Sequence, residues 1–549
     1  MWPSIRSFLD IPDHLTGKNV NIAVIDGIFP RHPDVTSNKR RYTYLVRTSD
    51  SQALPELLAA DQGPWDRGHH GLMSAAAAAG SGELSEGGYA GAAPEAHLFL
   101  LETGPFYTPE HIEEKIGGAL LWLKANWRTY CIRGAVLTVS ASRDTGLLPW
   151  QADPVRRTCE ELADEGLLLI SACGNTHELI SNAPAAAPSV LSVGGVIVPE
   201  VGKVEHALPY PNSRGVTFEN KWTPEILAPA ANIVLPTPFQ SREEFLNHFT
   251  ASSDALPRGY ARTEGTSFAA PMILGAAACI WEARPNWSSR QVKSALLATS
   301  RASLPIWNEL QAGVVDVRAA VNFVHGTEQL QGEGAYACWQ RWKSKGLAYR
   351  LQALQSGDTD KVMKSLLSFY PDAFSLIELK QPLYKLLQHP AEKVRCVSAL
   401  LWSEHSEGCT AGFARELLRD PSPHVRMAGM YAIQRHPEWW NEITEELVPL
   451  LGDPSLDIRY WAVRLAANIN DPLLVRPLIA GLAEEANLQR ASTFGERCSA
   501  LERITGVQFP PIPEWREGQG TYSERSTEAR LSMTRRWENW LKASVGQHK

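Results

Sequence analysis

The sequence predicts a doubly wound α/β domain with a mostly parallel sheet, followed by an all-α solenoid. Three observations lead there. Up to about residue 325, short apolar runs alternate with helical patterns. A polar, glycine-containing stretch, HGTEQLQGEGAYA (325–337), then closes that alternation. Beyond it one helical motif recurs three times.

The strand candidates are NVNIAVID (19–26), AHLFLLE (96–102), GAVLTVSAS (134–142), GLLLISACGN (166–175) and VLSVGGVIV (190–198). Each is apolar on both faces, as a parallel strand covered by helices on either side must be. Helix candidates such as PEHIEEKIGGALLWLKANW (109–127) and ADPVRRTCEELADEG (152–166) lie between them. The recurring motif is HPAEKVRCVSALL (389–401), DPSPHVRMAGMYAI (420–433) and DPSLDIRYWAVRLA (453–466). In each, a proline turn precedes a Val/Ile-Arg pair, and a small residue (Ser398, Gly429, Ala462) follows four positions after the Val/Ile. The prolines at 390, 421 and 454 are 31 and 33 residues apart. Asp then Pro suits an N-cap followed by the first helical position. A second helix, such as ITEELVPLLG (443–452) or LLVRPLIAGLAEE (473–485), completes each unit. A helical pair at this period is a solenoid signature, and it resembles the short HEAT-like repeats of the phycobilisome-lyase type. An ordinary helical bundle is the other reading of the same residues. The Trp- and Arg-rich end, RWENWLKA (536–543), suits a cap on the last repeat.

Composition narrows the function classes. With 44% hydrophobic and 21% charged residues over 549 positions, the chain reads as globular. Its net charge of −7 supplies no basic field for nucleic acid or an anionic membrane. The eight cysteines form no CxxC pair, and Cys173 and Cys279 lie in apolar runs as buried reduced thiols do. No run of 18 apolar residues occurs, and MWPSIRSFLDIPDHL has no charged stretch followed by a long apolar one. The cytoplasm is the expected compartment.

Four short segments carry chemistry. Strand NVNIAVID ends in Asp26, at the carboxyl end where α/β sheets place their sites. DRGHHGLMSAAAAAG (66–80) opens an alanine-rich helix at His69, His70 and Gly71. SACGN (171–175) puts the carboxamide of Asn175 at the same sheet edge. GTSFAAP (265–271) puts Ser267 at the mouth of an apolar helix. Taken singly, Asp26 and Asn175 are turn residues, His70 is structural and Ser267 is an N-cap. A serine hydroxyl becomes a nucleophile only when a base takes its proton and a carboxylate orients that base.

The order Asp…His…Asn…Ser, with Ser267 in GTSFAAP, resembles the subtilisin-like serine peptidases (subtilases) over about residues 15–322. HPDV (32–35) and EILAPAANI (225–233) resemble further segments of that family. The resemblance implies a subtilisin-like fold and a triad of Asp26, His70 and Ser267, with Asn175 as oxyanion donor. It implies a peptide bound as an added strand along Ser140, Ala141 and Ser142 and along Ala172, Cys173 and Gly174. The sequence departs from the family in having Gly27 where a Thr or Ser follows the aspartate. Leu72 and Met73 stand where a Thr and a second His follow His-Gly. Many members bind calcium, and Asp34 falls at a common ligand position. The rest of such a site is not recognisable, so no cofactor is assigned.

The expected organisation is a peptidase domain (1–325), a linker (326–345), HEAT-like repeats (346–490) and a capping segment (491–549). The expected function is a serine endopeptidase whose repeats recruit a protein substrate or regulator, without nucleic acid or membrane as partner. A non-catalytic or weakly catalytic adaptor, binding proteins through its solenoid, is the alternative.

Overall fold

The computed structural model describes residues 4–50, 52–59, 69–104, 109–140, 146–176, 179–199, 203–238, 259–302, 304–324, 333–371, 377–403, 410–487, 492–510 and 522–546. They form two units. One comprises residues 1–146, 153–175 and 180–338; the other comprises 147–152, 176–179 and 339–549.

The first unit is built on one twisted sheet of β1 (Asn21–Asp26), β2 (Thr43–Arg47), β3 (Glu56–Leu57), β4 (His97–Glu102), β5 (Ile132–Leu137), β6 (Leu168–Ala172), β7 (Leu191–Ile197), β8 (Ile226–Ala231) and β9 (Gly313–Val314). Their order is β9-β8-β7-β6-β5-β1-β4-β2-β3. Every neighbouring pair runs parallel except β2 with β3, and the short Leu208–Pro209 segment also pairs antiparallel with β7. The five strands expected from apolar runs all lie in the sheet. β2 lacks a continuous apolar signature because it sits next to the edge. β8, whose sequence contains a proline, is a buried strand.

Alternation along β1 explains the two-faced hydrophobicity. Ile22 and Val24 face one core, shared with Leu72 and Leu274. Ala23 and Ile25 face the other, shared with Ile116, Leu120, Val155 and Leu162. The first core lies against α1 (His69–Ala79) and α4 (Thr266–Ala283); the second lies against α2 (Pro109–Asn126) and α3 (Pro154–Asp164). Asp153 caps α3 through the Arg156 amide at 2.6 Å, with Pro154 at the first helical position. The small residues of α1 and α4 permit close approach. A Cβ on Gly275 would lie 2.4 Å from the Ala78 carbonyl, and one on Gly71 would lie 2.2 Å from that of Ile28. α4 is also the one described helix long and apolar enough to cross a membrane, and it is buried inside this unit.

From residue 333 on, every described regular element is helical. Helices Glu392–Ser403, Pro423–Arg435 and Leu456–Ile469 carry the three motif copies. Ser398, Gly429 and Ala462 are buried, and a Cβ on Gly429 would already meet that of Leu417 at 2.8 Å. The motif arginine has the same use in each copy. Arg395 forks onto Asp420 at 2.9 and 3.0 Å, Arg426 reaches Asp453 at 2.8 Å, and Arg459 reaches Glu484 at 3.0 Å. Two expectations need correction. Asp420 and Asp453 do not cap their helices, which begin at Pro423 and Leu456; each instead accepts the amide of Ser422 or Ser455 at 2.8 Å and takes an arginine from the preceding copy. Residues 335–343, expected within a linker, are helical. At the far end, helix Tyr522–Gly546 buries Trp537, and Arg530 donates to the Ala486 carbonyl at 3.0 Å.

Candidate active site

Parallel strands bring their carboxyl ends to one edge, and the candidate residues follow those ends. Asp26 is the last residue of β1; Thr138 and Ser140 follow β5; Cys173, Gly174 and Asn175 follow β6. β1 and β5 are adjacent, with Ile25 opposite Leu137, so Asp26 and Thr138 meet one step further on.

The Asp26 carboxylate is buried and has three donors. His70 Nδ1 lies 2.8 and 3.0 Å from its two oxygens, the Gly27 amide donates at 2.6 Å, and Thr138 Oγ1 donates at 2.6 Å. Burial pushes the carboxyl up, but the His70 charge and these hydrogen bonds outweigh it and hold it below the ordinary value. The imidazole of His70 remains 46% exposed, so its other nitrogen is reachable. Burial lowers its basicity while the Asp26 charge and hydrogen bond raise it, and the net displacement is upward. Neighbouring His69 moves down, through burial and the charge of His70. Of the two adjacent histidines, His70 is the one bonded to Asp26.

Ser267 is half-buried in the first turn of α4. Gly265 precedes that turn at φ +145°, a conformation that favours glycine, and its amide donates to the Ala230 carbonyl of β8 at 2.7 Å. Ser267 Oγ donates to the Thr138 carbonyl at 3.1 Å. The Phe268 ring packs 5.4 Å from that of His70, which ties the helix mouth to the imidazole. Thr138 therefore touches both ends of the constellation, its hydroxyl on Asp26 and its carbonyl on Ser267. No motif marks it; only the register of β1 against β5 does.

Asn175 has a defined orientation. Its Oδ1 accepts from the Thr266 amide at 2.9 Å and from the Thr266 hydroxyl at 3.0 Å. A backbone amide can only donate, so the carboxamide oxygen faces Thr266 and the NH2 group is turned away from that amide. Gly174 next to it has φ +107°, and a Cβ there would meet Ser213 Oγ at 2.5 Å. Among the other peptide-binding candidates, Ser140 is exposed, whereas Ala172 and Cys173 are buried. The Cys173 amide is bonded to the Val193 carbonyl of β7 at 2.9 Å. Ala141 and Ser142 lie outside the described residues.

Asp34 does not fit a calcium site. Its carboxylate accepts the Tyr260 hydroxyl at 2.5 Å and the Leu84 amide at 3.4 Å, and Arg41 donates to its main-chain oxygen. Burial pushes the carboxyl up to about 6 against those donors. Among the described residues, no three Asp, Glu, His or Cys side chains cluster as metal ligands.

Residues 17–334, more than half of the chain, match the subtilase (peptidase S8) family. The chain belongs to the subtilase family. Curated subtilases similar to it include the serine protease AprX of Bacillus subtilis, 28% identical over 288 residues, which are 51% of this chain and 61% of AprX. Subtilisin E of the same species is 24% identical over 297 residues, 52% of this chain and 61% of that protein. The chain thus spans about three fifths of the length of these relatives. Among solved structures, fervidolysin from Fervidobacterium pennivorans is similar at a TM-score of 0.43 and 18% identity, covering 59% of this chain and 46% of fervidolysin.

Proposed function

We propose that this subtilase is a serine endopeptidase in which Ser267 is the nucleophile, His70 the general base and Asp26 the carboxylate that orients it. Asn175 is the oxyanion donor. One observation carries the reading: His70 Nδ1 is fixed on the buried Asp26 carboxylate at the same sheet edge to which α4 delivers Ser267. With Nδ1 bonded to Asp26, Nε2 is the nitrogen left to take a proton. Ser267 Oγ leaves the Thr138 carbonyl and attacks the scissile carbonyl as its proton passes to Nε2. Negative charge collects on the former carbonyl oxygen, where the Asn175 NH2 and the positive end of α4 are favourable. The protonated His70 then gives its proton to the leaving amine, and water, deprotonated by the same nitrogen, releases the acyl group from Ser267.

The substrate is a protein or peptide, paired through main chain beside Ser140 and Gly174. The C-terminal helices, read as HEAT-like repeats, recruit a protein substrate or regulator. The cytoplasm is the proposed compartment, in keeping with the buried reduced thiols of Cys159, Cys173 and Cys279.

A fluorophosphonate probe with the full-length protein tests the assignment. Wild type labels and cleaves peptides, and Ser267→Ala does neither while keeping its melting temperature. His70→Ala is nearly as inactive, because the triad acts as a unit. Asn175→Ala lowers kcat about 10²–10³-fold with little change in KM. Correctly folded wild type that resists the probe points instead to the adaptor.

A further inference from the structure

Two neighbouring strands carry aromatic residues at alternate positions near their amino ends. Tyr42 precedes β2 and Tyr44 lies within it, while His97 and Phe99 open β4. Successive side chains of a strand point to opposite faces, so each pair shares a face. The parallel register sets Tyr44 opposite Phe99, and their rings stack at 5.1 Å and 25°. Two residues earlier, the Tyr42 ring stands 5.4 Å from that of His97. The row continues through Tyr130, 5.4 Å from Phe99, and Trp122 stacks on Tyr130 at 5.9 Å and 8°.

Tyr42, Tyr44, Phe99 and Tyr130 line a cavity of about 570 Å³, with Asn21, His97 and Cys131. Asn21 and Asp26 are the two ends of β1, roughly 16 Å apart along the strand, so the cavity and the candidate triad lie at opposite edges of the sheet. Its volume falls within the roughly 300–1,000 Å³ typical of small-molecule sites. The Thr129–Cys131 side of the cavity is fixed in place. Asn21 Nδ2 donates to the Tyr130 carbonyl at 2.7 Å, and the register of β1 on β5 shifts between Asn21 and Ile22. Cys131 is exposed and has φ +49°, a left-handed conformation that a cysteine adopts only where its surroundings impose it.

The lining selects the ligand. Among the described residues, no Asp, Glu, Lys or Arg lines the cavity, so a charged ligand would give up water without gaining a counter-ion. His97 supplies a donor. The Tyr42 amide donates to His97 Nδ1 at 2.9 Å, and an amide can only donate, so the proton of the neutral ring sits on Nε2. Burial and the charge of Arg41 lower the basicity of His97 and keep it neutral. We propose that this cavity binds a small, planar, uncharged aromatic molecule with a hydrogen-bond acceptor, stacked on the tyrosine rings and accepting from His97 Nε2. The inference stands apart from the peptidase reading, because binding at the other edge of the sheet is measured and cleavage is not.

The test uses the full-length protein and prodan, an uncharged naphthalene ketone whose emission moves to the blue when it leaves water. Prodan should bind saturably, one per chain, with blue-shifted emission. At about ten times its Kd it should slow iodoacetamide alkylation of Cys131, read by peptide mass spectrometry, about tenfold. Tyr42→Ala removes one ring and should raise the Kd about tenfold. Thr129→Trp should fill the cavity and abolish binding. His97→Asn keeps an acceptor for the Tyr42 amide but loses the Nε2 donor, and should weaken binding about fivefold. Leu121→Ala, which removes an exposed apolar side chain outside the cavity, should bind as wild type does. Prodan that leaves Cys131 unprotected in wild type would overturn the proposal, whether or not the variants fold. Binding to Thr129→Trp as tight as to wild type would do the same. So would anilinonaphthalene sulfonate, an anion, protecting Cys131 at the same concentrations as prodan. A dimer that Tyr42→Ala dissolves would overturn it too, by seating a second copy of the chain on the rings.

Discussion

Thr138 shows how a single hydroxyl compensates for a departure in sequence. The chain has Gly27 after its aspartate, so no side chain there can support the carboxylate, and the Gly27 amide with Thr138 Oγ1 supplies the donors instead. Thr138→Val keeps the shape and removes the hydroxyl. It should lower kcat/KM about tenfold, in line with a hydrogen bond to a charged group, whereas Thr138→Ser should stay near wild type. Without that donor Asp26 draws more strongly on His70, so the acid limb of the kcat/KM profile should move to higher pH in Thr138→Val. A purely structural role would leave the limb in place. In wild type the same limb should lie above the ordinary imidazole value of about 6.5, because the Asp26 charge raises His70 despite its burial. The sign for stability is the opposite. A raised histidine favours the folded state fully below about pH 6.5, and that contribution fades as pH rises through the folded value. A pH–activity profile with its midpoint below 6.5 would mean that burial outweighs the Asp26 charge at His70.

At the scale of the element, the helical motif owes its regularity to a ladder of ion pairs. Arg395 and Arg426 each reach forward to an acid of the next copy, Arg459 reaches Glu484 in the helix that follows the last copy, and each arginine also bonds the main chain of its own proline turn. Arg395 does so to His389 and Pro390, and Arg426 to Asp420 and Pro421. The Arg426–Asp453 pair is largely buried, at 11% and 5% exposure. Removing one partner strands the other, so Arg426→Met should cost about 3 kcal/mol in a denaturant titration. Arg419 pairs with Glu446 but is 73% exposed, and Arg419→Ala should stay within about 0.5 kcal/mol. Equal losses from the two variants would mean that burial does not set the strength of these pairs. Helix α4 obeys a different rule. It is apolar all round because it is buried all round, and its small residues admit the Ala78 backbone at Gly275.

At the scale of the molecule, the chain does not divide at one point. Residues 147–152 and 176–179 belong to the helical unit although the surrounding residues belong to the first. Within the helical unit, Trp150 packs edge-on to Trp339 at 5.3 Å, and His424 Nδ1 lies 2.8 Å from the Leu147 carbonyl. Leu147, Leu148 and Trp150 are buried. A fragment ending at residue 338 contains all the candidate catalytic residues but leaves those side chains without their partners. It should be less soluble than the full chain and melt at lower temperature, with lower probe labelling per folded molecule, since 176 directly follows Asn175. A fragment matching the full-length protein in both measurements would make the units independent.

The sequence by itself determined the α/β alternation and the period of the helical motif, and its resemblance to the subtilases singled out Asp26, His70, Asn175 and Ser267 as candidates. These depend on local patterning, on apolar runs and on short segments whose geometry is set within a few residues. Only the tertiary structure decided which of two adjacent histidines meets the aspartate, that Thr138 joins Asp26 to Ser267, and that the Asp34 carboxylate is taken by Tyr260. It likewise decided that Lys221 bonds to carbonyls more than thirty residues away. Those contacts depend on strand register and on main-chain oxygens, and every residue carries the same main chain. A hydrogen bond between a side chain and a distant carbonyl leaves no mark on the identity of the residue that accepts it.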